Sequence, residues 1–142
     1  MARPSLDLIR GVSLFATADD AFLKRLADEF NERTFAAGET LAEEGGAGRT
    51  LIVIESGEVT VSVRGQEVGR LGPGDAFGEM ALIDRSARSA TVKAATDVRG
   101  YQLPVWSFRP LIESRPEVAW ALLEALAQRV RQAEGRGAQD GS

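Results

Sequence analysis

Residues 77–92 read FGEMALIDRSARSATV. Gly78 and Glu79 stand at one end, and Arg88 and Ser89 at the other, with small and apolar residues filling much of the interval. Glu79-Met80-Ala81-Leu82-Ile83 are mostly good helix formers, so a short helix is expected just after Gly78. Its first amides would be unsatisfied donors, attractive to an anion. Gly78 would let a ligand approach the backbone closely. Arg88 supplies a planar cationic fork suited to phosphate oxygens. Ser89 adds a hydroxyl donor, and Ala90 an amide with little bulk. A carboxylate beside a phosphate would weaken binding, so Glu79 must face something with hydrogens to donate, and a sugar hydroxyl meets that need. A phosphate and a free ribose hydroxyl together describe a nucleotide. The competing reading is a plain Glu79–Arg88 ion pair in a loop, which leaves the glycine, the serine and the small residues unexplained.

The whole chain bounds what such a stretch can belong to. Its 142 residues suggest one domain with a respectable core. Cysteine and histidine are both absent, which excludes disulfides, thiol catalysis, a Ser-His-Asp triad and the usual transition-metal ligands. Asp75, Glu79 and Asp84 make no evident metal cluster, so neither metal nor enzymatic chemistry is expected. Acidic residues outnumber basic ones 21 to 17, which argues against a broad nucleic-acid footprint. No stretch is long and apolar enough to span a bilayer. Asp7 and Arg10 interrupt the apolar run at the N-terminus, which does not read as a signal peptide, so a cytoplasmic protein without membrane contact is expected.

Organisation follows from periodicity. Leu6, Ile9, Val12, Leu14 and Phe15 form an imperfect helical stripe, and Thr17-Ala18-Asp19-Asp20 reads as a helix start with Thr17 as N-cap. Phe22, Leu23, Leu26, Ala27 and Phe30 form one apolar helix face. Most of the 15 glycines lie between residues 38 and 78, which points to tight turns and β structure. Leu51-Ile52-Val53-Ile54 is a short β-type run, Val59, Val61 and Val63 alternate with polar residues, and Arg64-Gly65-Gln66 offers a hairpin turn. Residues 90–103 resume the β pattern, with Gly100 as a candidate bulge. About seven or eight short strands at this spacing fit a sandwich, barrel or jelly roll. Pro116 suits the first position of a last helix, in which Ala119, Leu123, Leu126, Val130 and Ala133 form a stripe. That stripe is suited to the β part or to a second copy of the chain, and is too short for a stable coiled coil alone. The expected boundaries are helices over 5–31, a β-roll over 33–103, helices over 104–134, and a disordered polar tail over 135–142.

Phe77-Gly78-Glu79-Met80-Ala81-Leu82 followed by Arg88-Ser89-Ala90-Thr91-Val92 closely resembles the phosphate-binding cassette of cyclic nucleotide-binding domains. Such domains occur in the regulatory subunit of protein kinase A, in bacterial catabolite activator proteins and in cyclic-nucleotide-gated channels. FAAGETLAEEG at 35–45, IESGEV at 54–59 and LGPGD at 71–75 resemble β-roll segments of the same family, and the resemblance covers roughly residues 5–134.

The resemblance implies a mixed α+β, mainly β fold: an eight-stranded β-roll or jelly roll flanked by N-terminal helices, a C-terminal hinge helix and a lid helix. It implies that Phe77, Gly78, Glu79, Met80, Ala81, Arg88, Ser89 and Ala90 bind the ligand. Glu79 and the Gly78 amide would hold a ribose 2′-hydroxyl, and Arg88, Ser89 and the Ala90 amide a 3′,5′-cyclic phosphate. Arg129 lies where some channel-type members place an arginine that stacks over the base, a contact suited to its planar cation. Trp120 is a second candidate lid, although it also reads as a packing residue. Serine at position 89 leans toward cyclic AMP over cyclic GMP. The implied role is a sensor whose C-terminal helices move, with a downstream protein partner or a weak homodimer through the last helix. The alternatives are a degenerate fold serving protein–protein interaction, or the sensor fragment of a larger regulator. Too few residues follow Glu134 for a helix-turn-helix, so nucleic acid is not an expected partner.

Overall fold

The computed structural model describes residues 3–47, 49–79, 81–84 and 87–140. Strand β3 (Thr50–Ser56) is its central element. Leu51, Ile52, Val53 and Ile54 are all buried, so both faces of the strand are covered. This is why the segment reads as a continuous apolar run rather than an alternation. β3 pairs with β8 (Val98–Pro104), which also pairs with β1 (Asn31–Phe35), and β6 (Ala76–Phe77) closes the sheet in the order β1-β8-β3-β6. The second sheet has the order β2-β7-β4-β5, from β2 (Thr40–Ala42), β7 (Thr91–Ala94), β4 (Val59–Val63) and β5 (Gln66–Leu71). All the pairings are antiparallel. The expected eight-stranded roll with flanking helices is therefore the observed architecture.

Two hydrophobic clusters meet across β3. Ile52 and Ile54 join Phe35, Ala42, Val59, Val92, Ala94 and Val98 inside the roll. Leu51 and Val53, with Tyr101 and Leu103 of β8, join the helical cluster. That cluster collects residues from α1 (Leu6–Arg10), a 3-10 turn (Ser13–Phe15), α2 (Asp20–Glu29), α3 (Ala81–Asp84), α4 (Val105–Ser114) and α5 (Pro116–Asp140). Gly100 sits where β8 crosses β3: a Cβ there would lie 2.5 Å from the Val53 carbonyl oxygen. The register slips between Ile54 and Ser56 of β3, so the bulge expected at Gly100 belongs to the strand opposite it.

The helices differ from expectation in four places. The N-cap of α2 is Asp19, not Thr17: Asp19 Oδ1 accepts the Phe22 amide at 2.8 Å. The Ala18 amide donates to the Phe15 carbonyl at 3.1 Å, which holds the preceding residues in a turn and delays the helix start. At its far end α2 stops at Glu29 and β1 begins at Asn31, so the helical part ends before residue 31. On α5 the buried positions are Val118 and Leu122, one residue before Ala119 and Leu123, so the inward face is rotated from the stripe expected, of which Leu126 still packs against the core. Leu123 and Val130 are 53% and 55% exposed, and Ala119, Leu123 and Leu126 line an apolar groove with Phe108 and Ile112. Finally, α5 continues to Asp140 through the segment expected to be disordered from residue 135. Extending an existing helix needs no new nucleus, and Gly135 and Gly137 cost only about 1 kcal/mol each relative to alanine. Among the described residues, no helix is long and apolar enough to cross a membrane.

Asp19 also ties the α4–α5 junction to α2, because its Oδ2 accepts Arg115 Nη2 at 3.0 Å. The Phe22 amide, helped by Arg115, holds the Asp19 carboxyl below the ordinary aspartate range. A depressed carboxyl stabilises the fold above its unfolded pKa and loses that contribution as pH falls through the folded value. Asp19→Asn should therefore flatten the acid limb of stability against pH, as followed by thermal unfolding at a series of acidic pH values. Gly100→Ala should destabilise the protein by about 1–3 kcal/mol through overpacking against Val53, read as a lower urea midpoint.

Candidate ligand-binding site

A cavity of about 380 Å³ opens between the second sheet and the segment following β6. Ala42, Val61, Leu71 and Val92 form its apolar floor, and Ala76 and Phe77 its side. Gly78, Glu79, Ala87, Arg88, Ser89 and Ala90 complete the rim. The structure thus brings together Phe77, Gly78, Glu79, Arg88, Ser89 and Ala90 of the expected set. Ala81 opens the short helix α3. Met80 lies outside the described residues.

Glu79 and Arg88 are not each other's partner. Arg88 Nη2 donates to the Thr50 carbonyl at 2.8 Å and to the Thr50 hydroxyl at 3.0 Å. Its guanidinium lies 5.9 Å from the Phe77 ring centre. The Arg88 main chain is clasped by the β2–β3 loop: the Gly45 amide donates to the Arg88 carbonyl at 2.8 Å, and the Arg88 amide to the Gly46 carbonyl at 2.9 Å. Burial lowers the Arg88 pKa from the ordinary arginine value, and among the described residues no carboxylate forms a salt bridge with it. A partly desolvated cation held by neutral groups lacks the compensation that a buried charge requires, so an anion in the cavity would complete it.

Glu79 instead accepts Arg129 Nη2 on Oε1 at 2.7 Å. The Glu79 side chain is 18% exposed and that of Arg129 39%. Arg129 follows Val118, Leu122 and Ala125 on the face that α5 turns inward, and it meets the cavity wall at Glu79. Arg129, expected over the base, is thus held in this structure by the Glu79 carboxylate. Trp120 is 66% exposed, so it neither packs nor covers the cavity.

Thr50, Ala42, Val61, Leu71, Ala76, Ala87 and Val92 were not singled out from the sequence as site residues. The alternation of Val59, Val61 and Val63 signalled an inward face but not that part of it would stay uncovered. Thr50 carries no local signal, standing 38 residues from Arg88. α3 reaches the helical core through Leu82, which is 1% exposed and shares a cluster with Phe108, Leu111 and Leu122. Ile112 packs against that cluster, so α3 and α4 share one core. Among the described residues, no group of acidic side chains could hold a metal ion.

Gly78 has φ 89°. A Cβ there would collide with the Arg88 guanidinium and the Thr50 carbonyl. Gly78→Ala should lower stability by about 1–3 kcal/mol, since it combines backbone strain with a clash. It should also displace the Arg88 side-chain Nε–H resonance in ¹⁵N NMR spectra. An unmoved resonance would contradict the packing described.

Comparison with known proteins agrees with this fold. The N-terminal domain of a transcriptional regulator from Streptomyces coelicolor A3(2) superposes with a TM-score of 0.81 at 38% identity, covering 89% of this chain and 94% of that one. The regulatory domain of Toxoplasma gondii PKA, solved with cAMP, gives 0.69 at 32% identity over 75% of this chain and 42% of that one. The mouse potassium/sodium hyperpolarization-activated cyclic nucleotide-gated channel 3 is 33% identical over 124 residues, 87% of this chain. The chain spans only 16% of that channel's length. The family model for the cyclic nucleotide-binding domain matches residues 32–115. The chain belongs to the cyclic nucleotide-binding domain family.

Proposed function

We propose that the protein binds a 3′,5′-cyclic nucleotide, cyclic AMP in preference to cyclic GMP, and acts as a sensor through its C-terminal helices. The observation that carries this reading is Arg88, half withdrawn from water, held by Thr50 without a salt-bridged carboxylate, at the rim of a cavity that also presents Ser89 and Glu79. A cyclic phosphate diester carries one negative charge, which one arginine can balance, and leaves the 2′-hydroxyl free to donate to Glu79. The floor of Ala42, Val61, Leu71 and Val92 suits the apolar face of a purine. Serine at 89 and the cAMP bound to the related PKA domain support cyclic AMP as the ligand.

The output is a population shift. Ligand at residues 78–90 would bear on α3, whose Leu82 shares a core with Phe108 and Leu111 of α4 and Leu122 of α5. The ligand moves that equilibrium only by its differential affinity for the two arrangements. The exposed Leu123 and Val130 on α5 favour transmission to a downstream protein or to a second copy in a weak homodimer.

Arg88→Ala should weaken cyclic AMP binding by about 2–5 kcal/mol, the cost of truncating one partner of a desolvated charge pair. Calorimetric titration of the folded variant measures this, and unchanged affinity would sink the assignment. Glu79→Ala should cost cyclic AMP more than 2′-deoxy cyclic AMP, and equal losses would remove Glu79 from ribose recognition.

A further inference from the structure

A second cavity, of about 310 Å³, lies between α3, α4 and α5 and shares no lining residue with the first. Leu82, Phe108 and Leu122, one from each helix, are its buried floor. The α4 wall has two rows. Phe108 and Ile112 form the inner row, and Arg109 and Glu113, both exposed, form the outer row one turn apart. The α5 wall is wholly apolar. All the charge of the site therefore stands on one edge, as one guanidinium and one carboxylate. Opposite charges at this helical spacing can pair, less well when the cation comes first, as it does here. Among the described residues, neither the Arg109 nor the Glu113 side chain has an ion-pair or hydrogen-bond partner.

We propose that this second cavity binds an apolar α-amino acid. The ligand's side chain fills the apolar trough, its carboxylate accepts from Arg109, and its ammonium donates to Glu113. An α-amino acid carries both charges on one carbon, which suits two side chains reaching from consecutive turns. A fatty acid would set its head group against Glu113, an amine would set its own against Arg109, and like charges so close repel. A peptide terminus offers only one of the two charges. The volume stands at the small end of the range for small-molecule sites, and a docked helix would need room for anchors on several turns. The occupant braces α3, α4 and α5, which share one core. This inference is independent of the cyclic nucleotide reading, because the two cavities have no residue in common.

The test uses the full chain without nucleotide. Methyl ¹³C resonances of Ile83, Ile112 and Leu123 report on the cavity during titration with L-phenylalanine, L-leucine and glycine at millimolar concentration. Phenylalanine and leucine should shift these methyls saturably, and glycine should not. Two analogues then separate the charges: 3-phenylpropanoate lacks the ammonium, and phenethylamine lacks the carboxylate. Each should bind wild type about tenfold more weakly than phenylalanine, the usual worth of a hydrogen bond to a charged group. Equal affinities for phenylalanine and both analogues would show an apolar crevice without amino-acid recognition and overturn the proposal. So would the absence of any saturable shift.

Three variants assign the roles. Arg109→Gln should weaken phenylalanine and 3-phenylpropanoate and leave phenethylamine unchanged. Glu113→Gln should weaken phenylalanine and phenethylamine and leave 3-phenylpropanoate unchanged. Both residues are exposed, so these variants are expected to keep the fold, as checked by circular dichroism. Ala119→Phe, on the α5 wall, should fill the trough and abolish binding of all three. Losses that do not follow this pairing of charge to variant would overturn the proposal. Methyl shifts that depend on protein concentration in the absence of any amino acid would also overturn it, because a second copy of the chain would then be the occupant. If cyclic AMP fails to bind while the amino-acid pattern holds, only the nucleotide reading of the first cavity is lost.

Discussion

Strand β3 belongs to both hydrophobic cores at once, and the site hangs from its first residue. Leu51 and Val53 feed the helical cluster, Ile52 and Ile54 feed the interior of the roll, and the strand is closed in by β8 on one side and β6 on the other. Such a strand has little freedom to shift, because a slip of one residue would exchange its two apolar faces and a slip of any size would drive Gly100 off the Val53 carbonyl. Thr50 opens this fixed element and holds the Arg88 guanidinium with its carbonyl and hydroxyl. The position of the cavity's cation is therefore set by the most deeply buried part of the fold, across 38 residues of sequence.

The charges of the site are arranged by the same logic. Were Arg88 and Glu79 paired directly, the cavity would be neutral and closed to an anion. Here Arg88 is held by neutral oxygens and Glu79 by a cation from α5. One end of the cavity is left favourable to a negative charge, and the other to a hydrogen-bond donor. The separation also links the two halves of the molecule: the roll contributes the carboxylate and the last helix contributes its partner.

Much of this was legible in the sequence because it is local. Gly78, Glu79, Arg88, Ser89 and Ala90 lie within one short stretch, and the glycine, serine and small residues around the two charges point to a ligand, although residue types alone leave a plain Glu79–Arg88 ion pair open. The double burial of β3 shows in the unbroken run Leu51-Ile52-Val53-Ile54. What was not legible depends on long-range contact. Thr50 has no composition signal, and its role exists only once β3 passes beneath Arg88. On α5, adjacent stripes of apolar residues compete: Ala119, Leu123, Leu126 and Val130 have the expected spacing, yet Val118 and Leu122 are the ones buried, with Leu126 packed at their edge. Periodicity identifies a helix but not which of two faces, rotated by about 100° from one another, meets the core. The N-cap was displaced for a local reason, since the turn after Phe15 spends the Ala18 amide before the helix can begin.

On the function proposed above, the cavity with Arg88 at one end and Glu79 at the other takes a cyclic phosphate joined to a ribose. Its most direct measurement is calorimetric titration of the protein, unfolded and refolded to strip any carried-over nucleotide, with cyclic AMP and separately with cyclic GMP. The expected result is saturable one-to-one binding of cyclic AMP at micromolar or lower concentration, and weaker binding of cyclic GMP. Absence of heat and of any thermal shift with either nucleotide, in a protein whose refolding is verified, would contradict it.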